Sequence, residues 1–357
     1  MKKRACLMLS VAVSLWLTSC SEHTPTPTPR DGRIEFAAAE WADTQSSERA
    51  GVATRGVTTD NTTLLNFGIY AYYAPTTYNA TTSVPNFMFN TQVTKTGGAW
   101  LYNPIMYWPN SGTVSFFAYA PYATAGDASL QLSSTPTTPG PPQLTYTVPD
   151  VIVNQRDLLI ATPLIDQTKT NINAEHKLVI PFRHALSSIV FQAKMSDAVA
   201  YPVKVNSVTI GALKNKATYR YNSGASTPWT IATDAVDKSY ALTLQNGGLQ
   251  DVNVGASTTS FVDISAADAQ LILLPQSVTD AGDQVTVSID LYTAGATSTP
   301  ITRNVTAKLA DLIPQSQLAA GKRYTVKIRV APQTADATLT CTVAAWASES
   351  IIVPPFD

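Results

Sequence analysis

The chain has 357 residues, of which 45% are hydrophobic, 14% charged and 9% aromatic, and its formal net charge is −1. That composition supports a buried core and excludes general disorder. With no basic excess and no Lys/Arg stripe, the electrostatic term that drives phosphate-backbone binding has no source, so no nucleic-acid partner is expected.

In chain order, the first element is an export signal. Lys2, Lys3 and Arg4 precede an apolar run from Ala5 to Leu17 that ends in small residues, the anatomy of a secretory signal. The run is shorter than the roughly 20 apolar residues of a spanning helix. Leu17-Thr18-Ser19-Cys20 resembles a lipobox, which implies a signal peptide over 1–19 and lipid on the Cys20 thiol. Acyl chains contribute on the order of 0.8 kcal/mol per buried methylene, so several would hold the chain on a membrane. Ser21 to Arg30 alternates Pro25, Pro27 and Pro29 with threonines, which favours an extended tether. From Asp31 to Arg55 the sequence becomes charged, although Ile34, Phe36 and Trp41 provide apolar side chains able to pack.

Beyond Arg55 the body reads as β-structure. Phe67, Ile69, Ala71 and Tyr73 share one parity, Ser115 to Ala120 forms an aromatic strand, and Leu178, Ile180 and Phe182 alternate. Val285, Val287 and Ile289 alternate with Thr286 and Ser288, as Tyr324, Val326 and Ile328 do with Thr325 and Lys327. Period two is the signature of half-buried strands. Turn residues separate the runs at Gly97-Gly98, Asn110-Ser111-Gly112, Pro139-Gly140, Asn222-Ser223-Gly224, Asn246-Gly247-Gly248 and Asp280 to Asp283. Helix is confined to short turns at Ser265 to Gln270 and at Leu309 to Leu318, the second interrupted by Pro314. Repeated short strands without crossover helices predict an all-β chain of antiparallel sandwiches. About 300 residues exceed one sandwich, so two domains are expected, over 56–174 and 175–357, with the strand at Leu178 opening the second.

No motif for catalysis, metal or cofactor emerges, and no enzyme is predicted. His176 and His184, eight residues apart in sequence, have no His/Asp/Glu cluster with them and read as structural. Asp150, Asp157, Asp263 and Asp268 occupy ordinary turn or strand-edge settings. Of three cysteines, Cys6 and Cys20 lie in the signal, so Cys341 is alone in the body and reads as a buried apolar thiol. Trp100, Tyr102, Tyr107 and Trp108 read chiefly as core. An alternative function is a surface-anchored glycan-binding lipoprotein that stacks sugars on Trp100, Tyr107, Trp108 or Trp229.

Several segments in order resemble the fimbrillins of Bacteroidales, the type V pilus subunits of the Mfa-like branch. They are the lipobox with an Arg-containing segment after it, Asn66-Phe67-Gly68-Ile69-Tyr70-Ala71-Tyr72, Tyr107-Trp108-Pro109 leading into Val114 to Pro121, and Gln155-Arg156-Asp157-Leu158-Leu159. Phe182 to Phe191, Leu273-Leu274-Pro275-Gln276 and Gly321 to Val326 complete the series. The resemblance implies two transthyretin-like β-sandwiches in tandem, preceded by the lipoprotein signal and by a lipidated tether and prosegment over 20–55. It implies an outer-membrane lipoprotein precursor, cut by an arginine-specific protease after Arg55 or, alternatively, Arg49, and then a fimbrium on the cell surface serving adhesion. Its expected partners are other fimbrial subunits in a head-to-tail polymer, that protease, the membrane through Cys20, and a host or bacterial surface ligand. Removal of the prosegment strand would leave a groove that a neighbour's strand refills. The candidate donor is the segment 337–357, with Leu339, Cys341, Val343, Ile351 and Val353 on its apolar parity.

Overall fold

The structure is a computed structural model that describes residues 32–40, 64–132, 135–195, 203–221, 228–242, 244, 261–265, 270–291, 299–331 and 336–346. The expectations for the signal, Cys20, Arg49, Arg55, Trp41, Asp268, Ile351 and Val353 fall outside the described residues. Somewhat more than half of the described residues are strand and almost none are helix. In order come β1 (Phe36–Glu40), β2 (Asn66–Ala74), β3 (Met88–Thr96), β4 (Ala99–Leu101), β5 (Thr113–Ala120), β6 (Leu130–Leu132), β7 (Gln143–Thr147), β8 (Leu159–Ala161), β9 (Leu164–Gln167) and β10 (Leu178–His184). There follow β11 (Ser187–Met195), β12 (Val203–Lys214), β13 (Lys216–Arg220), β14 (Trp229–Ile231), β15 (Asp237–Ala241), β16 (Val262–Asp263), β17 (Leu271–Leu273), β18 (Gln276–Ser277) and β19 (Gln284–Leu291). After β20 (Ile301–Lys308) the short helix α1 (Leu309–Leu312) leads to β21 (Gln317–Leu318), β22 (Lys322–Ala331) and β23 (Asp336–Ala345).

The first sheet runs β1-β10-β8-β5-β2-β3-β4, with β9 on β5. Both its faces are buried. Phe67, Ile69 and Ala71 of β2 pack with Val114, Phe116 and Ala118 of β5 in one core, while Tyr70, Tyr72, Phe117 and Tyr119 join a second core on the opposite face. This explains why β2 reads as a near-continuous apolar run rather than a clean alternation. The second core extends through a sheet of order β16-β11-β22-β23, with β17 on β11, and a sheet of order β15-β12-β19-β20. In β19 the alternation holds as read: Val285, Val287 and Ile289 are buried. Gly97 and Gly98 make the β3–β4 turn at φ of 56° and 80°, backbone that a β-carbon disfavours.

Three expectations are corrected. β10, read as opening the second domain, pairs with β1 and β8 in the first sheet. Its Leu178, Ile180 and Phe182 complete the same core as Phe67, and that burial outweighs nearness in sequence to β11. A fourth sheet, β14-β13-β7-β6, also joins strands from either side of residue 174. Nor is every pair antiparallel: β1 with β10 and β11 with β22 are parallel, permitted because long stretches of chain separate the partners. Finally, Ser265 lies in a β-bridge with Leu244, not in a helical turn, and 266–269 lie outside the described residues.

Candidate functional site: a seat for one strand

β1 completes the first core from its edge. Along one side it pairs in parallel with β10, Phe36 opposite Leu178 and Ala38 opposite Ile180, and the Leu178 amide donates to the Glu35 carbonyl at 2.7 Å. The residues just before it are held from the other side. The Ile34 amide donates to the Met106 carbonyl at 2.9 Å, and the Trp108 amide donates to the Gly32 carbonyl at 2.8 Å. The segment 32–40 therefore sits between two lengths of backbone, and its removal would leave both without their partners.

Side chains reinforce the seat. Ile34 and Phe36 are each only 1% exposed. The Phe36 ring lies 5.3 Å from Tyr102, 6.0 Å from Phe67 and 6.1 Å from Phe116, and Phe67 in turn contacts Phe182 at 5.4 Å. Edge-on aromatic contacts of this kind add about 0.5–1.5 kcal/mol each beyond burial. The Tyr102 phenol donates to the Ile34 carbonyl at 2.7 Å and accepts from the Met106 amide at 3.3 Å. Burial pushes that phenol above its ordinary range, while the Met106 backbone and the Arg33 charge pull it back, so it remains a donor at neutral pH. The floor is thus an aromatic trough shaped for alternate apolar side chains.

The C-terminal hairpin differs. β23 pairs with β22 over ten positions, from Lys322 opposite Ala345 to Ala331 opposite Asp336. Among the described residues it has no second strand neighbour. Leu339 and Cys341 pack half-buried on the second core, whereas Val343, expected on the same apolar face, is 39% exposed. Burial pushes the Cys341 thiol up to about 11. The hairpin ends on Trp346, whose amide donates to the Gly321 carbonyl at 2.8 Å and whose ring lies flat on His184 at 4.4 Å and 7°.

The other sequence candidates are dispersed. Trp108 is buried, and Trp100 and Tyr102 pack against the first core, so of that group only Tyr107 is largely exposed, at 47%. Trp229 is buried, its indole N–H donating to the Ala185 carbonyl at 2.8 Å. Asp150 meets Lys238 at the surface, and Asp263 accepts from Gln192. Asp157, expected in an ordinary turn or strand-edge setting, lies just before β8 but is fully buried, with its carboxylate 2.9 Å from His184 Nδ1. His176 and His184 do not come together around any acidic cluster, and no metal-binding group occurs among the described residues. Sequence reading missed the Asp157–His184 pair because the two lie 27 positions apart; the apolar residues flanking both were the available signal.

The fimbrillin-like family profile matches residues 54–346. The chain is 24% identical to fimbrium subunit Fim1C of Phocaeicola vulgatus, over 96% of this chain and 97% of that one. Among solved structures, a fimbrial protein from Bacteroides vulgatus aligns with a TM-score of 0.66 at 20% identity, covering 88% of this chain and 99% of that one. A candidate cell adhesion protein from Bacteroides uniformis aligns at 0.51 and 18% identity, covering 89% and 100%.

Proposed function

The chain belongs to the fimbrillin-like family, and from that premise we propose that it is a fimbrial subunit whose seat for 32–40 is the acceptor site for assembly. The observation that carries the reading is the position of β1. It lies upstream of both Arg49 and Arg55, yet supplies Ile34 and Phe36 to the first core. In this reading the precursor is exported, lipidated at Cys20 and held at the outer membrane until an arginine-specific protease cuts after Arg55, or after Arg49. The two tandem transthyretin-like sandwiches correspond to the first sheet and to the paired second and third sheets.

Such a cut breaks no contact made by β1. It converts an intramolecular strand, held at an effective concentration of order mM, into a separate peptide that dilutes away once it dissociates. The vacated trough then takes a strand from the C-terminal segment of a neighbour. Leu339, Cys341 and Val343, or Ile351 and Val353 further on, alternate with the period that Ile34, Phe36 and Ala38 fill in the precursor. Each large side chain buried contributes roughly 1.5–3 kcal/mol. Because donor and acceptor lie on different surfaces, the contact does not close on itself and grows a filament.

The test is a limited digestion of the unlipidated precursor with an arginine-specific protease, followed by N-terminal mapping and sizing. A cut after Arg55 or Arg49, an intact body and a ladder of multimers are expected. A correctly cut body that sheds 32–40 and stays monomeric at high concentration overturns the polymerising role and turns attention to the glycan-binding alternative.

A further inference from the structure

Near the far end of β10 from the bridge between Gly32 and Trp108, the first, second and fourth sheets leave a cavity of about 410 Å³. That volume lies within the range of small-molecule sites, which commonly sit where structural units meet and are lined by aromatics with a few placed polar groups. Tyr219, Trp229 and Trp346 line its walls, and Trp229 meets Tyr219 edge-on at 5.3 Å. Arg183, His184 and Lys322 line it too, and none of the described residues that line it is acidic. The Asp157 carboxylate is fully buried on the Nδ1 side of His184, which fixes the imidazole in place against Trp346.

Arg183 is the exposed member of a strand whose neighbours Phe182 and His184 are buried. It stands beside the Tyr219 phenol, where its hydrogen bond to that oxygen and, secondly, its charge offset part of the rise that burial causes. A guanidinium offers a planar fork of donors that matches a carboxylate. Aromatic walls with a cation among them suit a ring-shaped ligand that has an apolar C–H face and one anionic substituent, and a hydroxylated ring would be served by the polar atoms at the junction.

We propose that this cavity is a binding site for an acidic saccharide, in which the carboxylate of a uronic-acid residue engages Arg183 and the sugar ring packs on the Trp229 and Tyr219 wall. The site is separate from the strand seat, and because Ala345 and Trp346 of its lining belong to the C-terminal segment it is complete in the precursor, before that segment is donated. It does not require assembly, so it is measured on the monomeric precursor.

The experiment is isothermal titration calorimetry of the full-length unlipidated chain with methyl β-D-glucuronide, with methyl β-D-glucoside as the neutral control. Saturable binding of the glucuronide, about tenfold weaker for the glucoside and weakened by a similar factor in Arg183→Gln, is expected from loss of one charge-assisted contact. Trp229→Phe, which keeps an aromatic ring in the wall, tests the packing contact and should weaken both sugars. Absence of saturable glucuronide binding, equal affinity for the two sugars, or full affinity in Arg183→Gln overturns the proposal. Assembly after protease treatment reads out separately, so failure here leaves the strand seat untouched, and the reverse holds as well.

Discussion

The two ends of the described chain are both strands at sheet edges, but they are held by different means. β1 is short and has five paired positions on β10, while β23 has ten on β22. By hydrogen bonds alone the tail would be the more firmly attached. By side chains the order reverses: Ile34 and Phe36 are buried, with the Phe36 ring against Phe67, Tyr102 and Phe116, whereas Leu339 and Cys341 are half-buried and Val343 is exposed. Buried side chains compensate for the short ladder of β1, each large one contributing roughly 1.5–3 kcal/mol against about 0.5–1.5 kcal/mol for a net hydrogen bond. The comparison teaches that two edge strands of one chain are retained differently, the N-terminal one chiefly by buried side chains and the hairpin one chiefly by its ladder.

The sharpest way to break this contrast is Phe36→Ala. Loss of a fully enclosed ring should destabilise the uncleaved precursor by about 3–5 kcal/mol in urea denaturation. A loss below about 1 kcal/mol would mean that the ring is not held by the first core. The matched change in the tail, Leu339→Ala, should cost only about 1–2 kcal/mol in the same assay, because its side chain is half-buried. Equal losses at the two sites would erase the asymmetry.

A finer probe is Tyr102→Phe, which deletes the hydrogen bond to the Ile34 carbonyl and leaves the ring in place. About 1 kcal/mol of precursor stability should be lost, together with faster shedding of the N-terminal peptide after cleavage, followed by mass spectrometry. A variant that sheds at the wild-type rate would show the phenol to be irrelevant to retention.

The smallest effect is chemical. With its thiol raised to about 11 in the docked hairpin, Cys341 carries about a hundredfold less thiolate at pH 8 than an ordinary cysteine, partly offset by about tenfold higher intrinsic nucleophilicity. Alkylation by iodoacetamide should therefore be about tenfold slower when β23 is docked than when it is free. Because the docked value is raised, docking gains its full contribution from this thiol below the ordinary cysteine range and loses it as pH climbs towards 11. Labelling that does not change when the hairpin is unfolded by urea would contradict that picture.

Much of the architecture was legible from period-two alternation. The strands at Ser115 to Ala120, Val285 to Ile289 and Tyr324 to Val330 stand where they were read, and the helical turn before Pro314 is present. Alternation reports which face of a strand is buried, and not which strand lies beside it. For that reason alternation alone puts β10 with the wrong sheet, leaves the parallel pairs unseen, and does not reveal that the fold encloses Asp157 against His184. In the charged stretch before Arg55, Ile34 and Phe36 were noted as able to pack, but nothing local told where.

What the sequence determined by itself was the all-β character of the body, beside the expectation of an export signal with a lipobox-like end. Those properties follow from composition and from short-range periodicity, which act within a few residues. The tertiary structure alone decided that a segment upstream of both candidate arginines closes the first core, that the tail strand lies on a half-exposed edge, and that β10 joins the seat at one end to an aromatic cavity at the other. Those are long-range pairings, selected by which apolar faces can be buried together, and no local pattern specifies a partner far away in the chain.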